Sequence, residues 1–206
     1  MGTIARPTPP ASLFEDHLPI CKPAQDVVDW IFETILVEGA PLYNPDHVHL
    51  VHASLGVLWA NTPNVKQMRR IIGQAEVPCA RSGGWQKVRY EQQLQEWFGL
   101  QPDFLITFDA EYCLTASDAE WCALVEHELY HCAHKRDEFG NLAFNRETGR
   151  PKFGLRGHDV EEFVGVVRRY GASEEVQALV EATKGAPEVS GINIARGCGT
   201  CLLRSA

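Results

Sequence analysis

A core strand followed directly by a capped helix constrains the fold of this chain more than any other feature. Phe104, Ile106 and Phe108 occupy every second position, which predicts a strand with one buried face. Ser117 and Glu120 then have the spacing of a capping box, in which each side chain bonds a backbone N–H of the other residue. The sequence therefore predicts a long helix whose start is fixed immediately after a strand of the core.

The remaining pattern mixes short strands with helices and predicts an α+β fold. A second capping signal, Asp159 with Glu162, predicts a helix that runs to Tyr170. The other predicted elements are a helix at 24–38, a strand at 48–60, a segment at 65–77 that suits helix or strand, a helix at 86–98 closed by Gly99, a continuation of the capped helix to about 134, a hairpin or ordered loop at 136–157, and a helix near 173–184.

Composition along the 206 residues predicts one domain with two appendages. Residues 1–22 are rich in proline and predict a flexible arm, and residues 23–185 carry the periodic pattern of the domain. Residues 186–206 form a tail with a CxxC pair, Cys198 and Cys201. A single CxxC is too little for a structural zinc ribbon, which needs two such pairs.

Net charge and cysteine content indicate which partners and which cellular compartment suit the protein. With 19 basic and 27 acidic residues the net charge is -8, which argues against nucleic acid as a partner. The sequence shows neither an apolar run long enough to cross a membrane nor a secretion signal. The odd count of seven cysteines favours free thiols in a reducing cytoplasm.

The capped helix carries the pattern "HELYH", in which Glu128 follows His127 and precedes His131. Residues four apart project from the same face of a helix, so the two imidazoles can converge on one tetrahedral zinc ion. Zinc lowers the pKa of a water molecule that it binds, and Glu128 stands where it can accept the proton. The pattern also arises by chance, but a capped helix directly after a core strand is the context that a zinc hydrolase requires.

A third ligand is expected from another element, where three side chains compete for this role, and His134 near the end of the capped helix is a less favoured candidate. His158, just before the second capped helix, is the preferred candidate. Glu161 lies about one turn further and suits either a ligand or an acceptor that orients an imidazole. Glu162 is partly engaged as the capping partner, and His134 points away from the face shared by the first two histidines.

Three more histidines, His47, His49 and His52, lie close together in the sequence. On the strand predicted there, His47 and His49 share one face and His52 takes the other. We therefore expect surface or core histidines here rather than a metal cluster.

Several segments resemble the phage metallopeptidase family, which is found in phages and in prophage regions of bacteria. They are "ALVEHELYHC", "DEFGN" and "RPKFGLRGHDVEEFVGVVRRYG", and the similarity covers roughly 45–172. The resemblance implies a zincin-like metallopeptidase fold, a small mixed β-sheet packed on the helix that carries HExxH. The last segment is also similar to the third-ligand segment of SprT-like zinc proteases, where a histidine four residues before an aromatic residue binds zinc. Here His158 and Phe163 are five apart, and Glu161 stays the alternative.

The predicted function is that of a zinc metallopeptidase in the cytoplasm of a bacterial host cell, acting on a protein or peptide substrate. Zn²⁺ is held by His127, His131 and His158, and Glu128 is the general base. Tyr112 and Tyr170 are candidate donors to the transition-state oxyanion. The alternative is a non-catalytic zinc-binding scaffold that binds a phage or host protein. The sequence leaves the oligomeric state and the cleavage specificity open.

Overall fold

A computed structural model of the protein describes residues 5–15, 18–66, 68–80, 83–161 and 164–186. The strands are β1 (Cys21–Pro23), β2 (Leu55–Ala60), β3 (Asn64–Lys66), β4 (Arg69–Ile71), β5 (Gly73–Glu76), β6 (Phe104–Asp109), β7 (Cys132–His134) and β8 (Phe153–Leu155). The helices are α1 (Gln25–Ile31), α2 (Gly84–Phe98), α3 (Ala110–Thr115), α4 (Asp118–His131), α5 (Val164–Tyr170) and α6 (Glu174–Ala182). A π-helical turn, Phe32–Leu36, extends α1, and 3₁₀ turns form at Ala11–Leu13 and Pro45–His52.

A mixed four-stranded sheet in the order β1-β2-β6-β5 forms the centre of the fold. The two central strands, β2 and β6, run parallel, and both edge strands are antiparallel to their neighbours. Two small antiparallel pairs, β3 with β4 and β7 with β8, stand apart from this sheet. The predicted α+β class with a small mixed sheet is therefore confirmed.

The sheet is covered on both faces, which explains why its central strands are apolar at nearly every position. On one face Phe104, Ile106 and Phe108 are fully buried in the main core together with residues of α1 and α4. Trp30 of α1 packs edge-on against Trp121 of α4, with ring centroids 4.6 Å apart. On the other face a smaller cluster joins the sheet to α2, and its buried members are Leu58, Leu94 and Leu105.

Helix α4 begins as the sequence predicts. The Ser117 hydroxyl accepts the Glu120 N–H, and the Glu120 carboxylate accepts the Ser117 N–H at 2.8 Å. The predicted helices near 24–38, 86–98 and 173–184 are also present, and Gly99 ends α2 with φ 73°. In the second capping signal, Asp159 pairs instead with Arg156, while residues 162 and 163 lie outside the described ranges.

Two boundaries predicted from the sequence are wrong. Residues 48–52 belong to a 3₁₀ helix rather than to a strand, because the Asn44 side chain accepts the Asp46 N–H and Pro45 occupies the first position of the helix. His47 and His49 therefore do not share a strand face. The capped helix ends at His131 rather than near 134, because Cys132–His134 pair with Phe153–Leu155 as strands.

Other ambiguous segments take definite forms. Residues 65–77 contain the β3–β4 pair and the edge strand β5, and Met68 adopts a positive φ of 61° between β3 and β4. The predicted hairpin or loop at 136–157 is a long excursion that returns as β8, with isolated bridges at Arg136–Leu142 and Phe144–Pro151. The described part of the chain contains no helix long and apolar enough to cross a membrane.

Part of the segment expected to be a loose arm packs against the domain. Leu13 is fully buried in the main core, and Cys21–Pro23 form the edge strand β1. The Arg6 guanidinium donates to the carbonyl oxygens of Cys113 and Ala116 and pairs with Asp118. The tail with Cys198 and Cys201 lies outside the described residues.

Candidate metal centre

Three histidines converge where α4 ends and the chain returns from β8. His127 and His131 lie one turn apart on α4, and His158 lies three residues after the end of β8. The Nε2 atom of His127 is 3.3 Å from Nε2 of His131 and 3.2 Å from Nε2 of His158. Each pair of rings has its centroids 5.1 Å apart. The helix supplies two imidazoles, and the segment after β8 brings the third.

These distances fit a metal ion. Two nitrogen ligands at 2.0–2.1 Å from a tetrahedral zinc ion lie about 3.3–3.4 Å from each other, close to the two separations found here. One ligand atom from each of the three residues lies within 4.8 Å of the others, and His131 is buried while His127 and His158 are half-buried. The arrangement suits three protein ligands with a fourth position left for a small molecule.

The backbone fixes the orientation of His131. Its Nδ1 lies 2.7 Å from the Arg156 carbonyl oxygen, and the Arg156 N–H donates to the His131 carbonyl at 2.9 Å. A carbonyl can only accept, so this contact assigns the imidazole proton to Nδ1 and leaves the lone pair on Nε2. Metal-binding histidines in proteins are commonly held in this tautomer by a backbone carbonyl.

Glu128 is fully buried, with 0% of the residue exposed. It faces the edge strand β5 at Gly73, where an added Cβ atom would lie 2.8 Å from Glu128 Oε1 and 2.8 Å from Leu124 Cδ1. Contacts this short do not occur in folded proteins, so only glycine lets the carboxylate come so close to β5. This role of Gly73 could not be predicted from the sequence, because the contact joins residues that are distant in the chain.

The candidates for the third ligand lie at different places in the structure. His158 joins the pair on α4, whereas Glu161 is exposed and is not part of the cluster. Glu162 lies outside the described residues. His134 lies on β7, where its Nε2 bonds the Ala143 carbonyl at 2.8 Å and its ring packs edge-on against Phe144.

A small pocket, which we call the histidine pocket, lies over the three imidazoles. Its volume is about 180 Å³, and its lining comprises His127, Tyr130, His131, Arg156, Gly157, His158 and Asp159. The two tyrosines proposed as oxyanion donors do not line it: Tyr112 packs against the core, and Tyr170 is 76% exposed on α5. Tyr130 and Arg156 are lining residues that sequence reasoning missed, and the Arg156 guanidinium supplies N–H donors. Helical spacing alone would have indicated Tyr130, because it lies three residues after His127.

A polar network holds Tyr130 in place. Its hydroxyl donates to Asp46 at 3.0 Å and accepts from the Asn44 amide at 3.0 Å. The same amide donates to Glu126 at 2.6 Å, and the buried His47 ring packs edge-on against Tyr130 at 4.5 Å between centroids. Burial raises the pKa of Tyr130, and donation to Asp46 adds to this effect, so the phenol is protonated at neutral pH. The 3₁₀ helix thus fixes one wall of the histidine pocket.

Comparison with known proteins identifies a family but no individual relative. Searches of curated proteins and of solved structures each returned no match. A family model described as "Putative phage metallopeptidase" matches residues 28–184, which include all three histidines and Glu128. This match covers well over half of the 206 residues, and the chain therefore belongs to the phage metallopeptidase family.

Proposed function

We propose that this protein is a zinc metallopeptidase with a zincin-like fold, which hydrolyses peptide bonds in the cytoplasm of a bacterial host. His127, His131 and His158 would hold the ion, and Glu128 would be the general base. The observation that carries the proposal is the convergence of three imidazole nitrogens, with two separations of 3.2 and 3.3 Å. The residue that follows the first histidine on α4 is a glutamate, Glu128.

Each residue has a defined task in this proposal. Bound zinc would polarise the scissile carbonyl and increase the acidity of the attacking water. Glu128 accepts the proton of that water and delivers it to the nitrogen of the leaving amine. The Arg156 carbonyl keeps the proton of His131 on Nδ1, so that Nε2 can bind the ion. The Arg156 guanidinium is the donor of the pocket wall that can face developing negative charge on the substrate, since the single donor of Tyr130 is used by Asp46.

The decisive experiment combines metal content with the variant Glu128→Gln. Protein purified without a histidine tag should contain one zinc per chain by elemental analysis. Glu128→Gln leaves all three imidazoles, so the variant should keep its zinc. It removes the proton acceptor, so cleavage of unfolded protein or of a peptide library should fall by about 10²–10⁴-fold. Glu161→Gln is the matched control, because this carboxylate is exposed and lies outside the cluster. Activity that survives Glu128→Gln would refute the assignment.

One observation favours a second candidate function. Glu128 is fully buried, and a buried carboxylate also suits a scaffold that keeps zinc for stability and binds a phage or host protein. That scaffold would bind zinc, show no cleavage in the wild type, and lose thermal stability in Glu128→Gln. A general base, by contrast, is needed for turnover and dispensable for folding, so the melting temperature of the variant separates the two functions.

A further inference from the structure

A larger cavity adjoins the histidine pocket and shares two of its residues, Tyr130 and Arg156. This adjoining cavity has a volume of about 510 Å³ and lies between the 3₁₀ helix, the end of α4, β7 and the start of the excursion that follows. A substrate whose scissile bond lies over the histidines would have its neighbouring residues at this cavity. The inference below therefore rests on the proposed function.

The charged groups of the adjoining cavity differ from those of the chain as a whole. The protein carries a net charge of -8, yet Arg136 and Arg156 line this cavity with a single carboxylate, that of Asp46. Asp46 accepts a hydrogen bond from the Tyr130 hydroxyl, so its carboxylate already helps to hold Tyr130 in place. The lining of this cavity thus holds one more cation than anions, with Asp159 paired to Arg156 beside it. Such a balance on an acidic protein favours negatively charged ligands over basic ones.

Both arginines can donate hydrogen bonds to a ligand. A guanidinium carries five N–H groups. Within the described part of the chain, Arg136 donates from Nη1 to the Gly140 carbonyl at 2.7 Å, and Arg156 pairs through Nη2 with Asp159. The remaining N–H groups can bind a carboxylate, and the planar guanidinium matches the two oxygens of such a group.

Three histidines also line the cavity; His47 is buried with its Nε2 3.7 Å from Glu126 Oε1, and the other two are bonded to the backbone. His49 Nε2 bonds the Cys132 carbonyl at 2.7 Å, and His134 Nε2 bonds the Ala143 carbonyl at 2.8 Å. Val48 and Leu142 are about half exposed and add apolar surface at the opening. Recognition of charge in this cavity therefore depends on the two arginines, with apolar surface beside them for the stem of a side chain.

We infer that the adjoining cavity is a substrate subsite for a carboxylate, which Arg136 and Arg156 bind. The carboxylate can belong to an acidic side chain near the scissile bond or to the free C-terminus of a peptide. In either case, the subsite makes the enzyme selective for peptides that carry negative charge on one side of the cleaved bond.

The test measures peptide binding, so it does not depend on turnover. Zinc-loaded Glu128→Gln protein is titrated against fluorescein-labelled hexapeptides of three kinds: one with an internal glutamate and an amidated end, one with a free C-terminal carboxylate, and one with glutamine and an amidated end. At least one acidic peptide should bind about tenfold more tightly than the neutral one, which corresponds to one charge-assisted contact. The acidic peptide that binds more tightly shows whether the bound carboxylate belongs to a side chain or to the C-terminus.

Variants of one arginine then locate the interaction. Arg136→Gln should weaken the preferred peptide by roughly three- to tenfold, and Arg136→Glu should weaken it further, with little effect on the neutral peptide. Arg146→Gln is the matched control, because Arg146 lies on the same excursion and does not line the cavity. Equal affinity for all three peptides, no binding of any of them, or no response to either Arg136 variant would overturn the inference.

The outcomes also separate this inference from the proposed function. Binding of an acidic peptide that depends on Arg136, with a wild type that cleaves nothing, would refute the peptidase and keep the subsite. Cleavage that depends on Glu128, with no preference for charge, would keep the peptidase and refute the subsite.

Discussion

Replacing Gly73 with alanine should disturb the carboxylate of Glu128 through a single added methyl group. The new Cβ atom would lie 2.8 Å from Glu128 Oε1, 3.2 Å from Glu128 Cδ and 2.8 Å from Leu124 Cδ1. Non-bonded carbon atoms prefer about 3.5–4.0 Å, so the leucine contact alone requires a displacement of about 0.7 Å or more. Leu124 is fully buried, so helix α4 has little space into which it can retreat.

The expected magnitudes follow from these contacts. Overpacking a well-packed core costs about 1–3 kcal/mol, which for a chain of this size corresponds to a melting temperature lower by roughly 2–12 °C. A catalytic group displaced by about 1 Å can lose about 10²-fold in rate. Gly73→Ala should therefore retain zinc, because the nearest contacts of the added Cβ atom are to Glu128 and Leu124. It should lower kcat by about 10- to 100-fold.

Gly56→Ala is the matched control for this experiment. Gly56 lies on the central strand β2 of the same sheet, and its added Cβ atom would meet the Phe98 ring and Pro102 at 3.1 Å. This variant should lose stability through a similar crowding and keep its kcat, measured below its melting temperature with the same peptide substrate. Unchanged kcat in Gly73→Ala would show that close approach to β5 does not position Glu128. An equal loss in both variants would show a general effect of destabilisation.

Two further predictions concern the metal ligands and the pH dependence of folding. His158→Ala should lower the zinc content far more than Glu161→Ala or His134→Ala, because His158 alone of these three residues joins the imidazole cluster. Loss of zinc in Glu161→Ala together with full zinc content in His158→Ala would contradict this. His47 Nε2 lies 3.7 Å from Glu126 Oε1, and this imidazole lowers the pKa of Glu126 below its ordinary value of 4.5. The Glu126 carboxylate therefore stabilises the fold above pH 4.5, and this contribution is lost as the pH falls through the pKa of the folded state. Glu126→Gln should lower the melting temperature at pH 7 and flatten its decline below about pH 4.5, and thermal melts with a parallel decline in both proteins would contradict it.

Features that depend on neighbouring residues in the chain could be predicted from the sequence. The capping box of Ser117 and Glu120 depends only on a spacing of three, and the shared face of His127 and His131 depends only on a spacing of four. The alternation along β6 is likewise local. These features account for the start of α4, for its burial, and for two of the three imidazoles in the cluster.

Features that depend on distant contacts could not be predicted in the same way. Apolar residues and histidines at 48–52 suit a strand, but the Asn44 side chain and Pro45 favour a 3₁₀ helix, and pairing in β2 starts only at Leu55. Gly73 resembles any glycine of an edge strand until Glu128 is placed beside it. Arg136 and Arg156 lie 20 residues apart in the sequence, and only the fold brings them to one cavity.

The position of His158 shows how one strand pairing completes the site. Cys132 pairs with Leu155, so the next residue, Arg156, lies beside His131 and exchanges two contacts with it. His158 then follows two residues later, within reach of His127. A shift of one residue in this pairing would turn every side chain of β8 to the other face and would move the third imidazole away. The register between β7 and β8 therefore sets the position of the third imidazole, whereas the length of the excursion between the two strands does not.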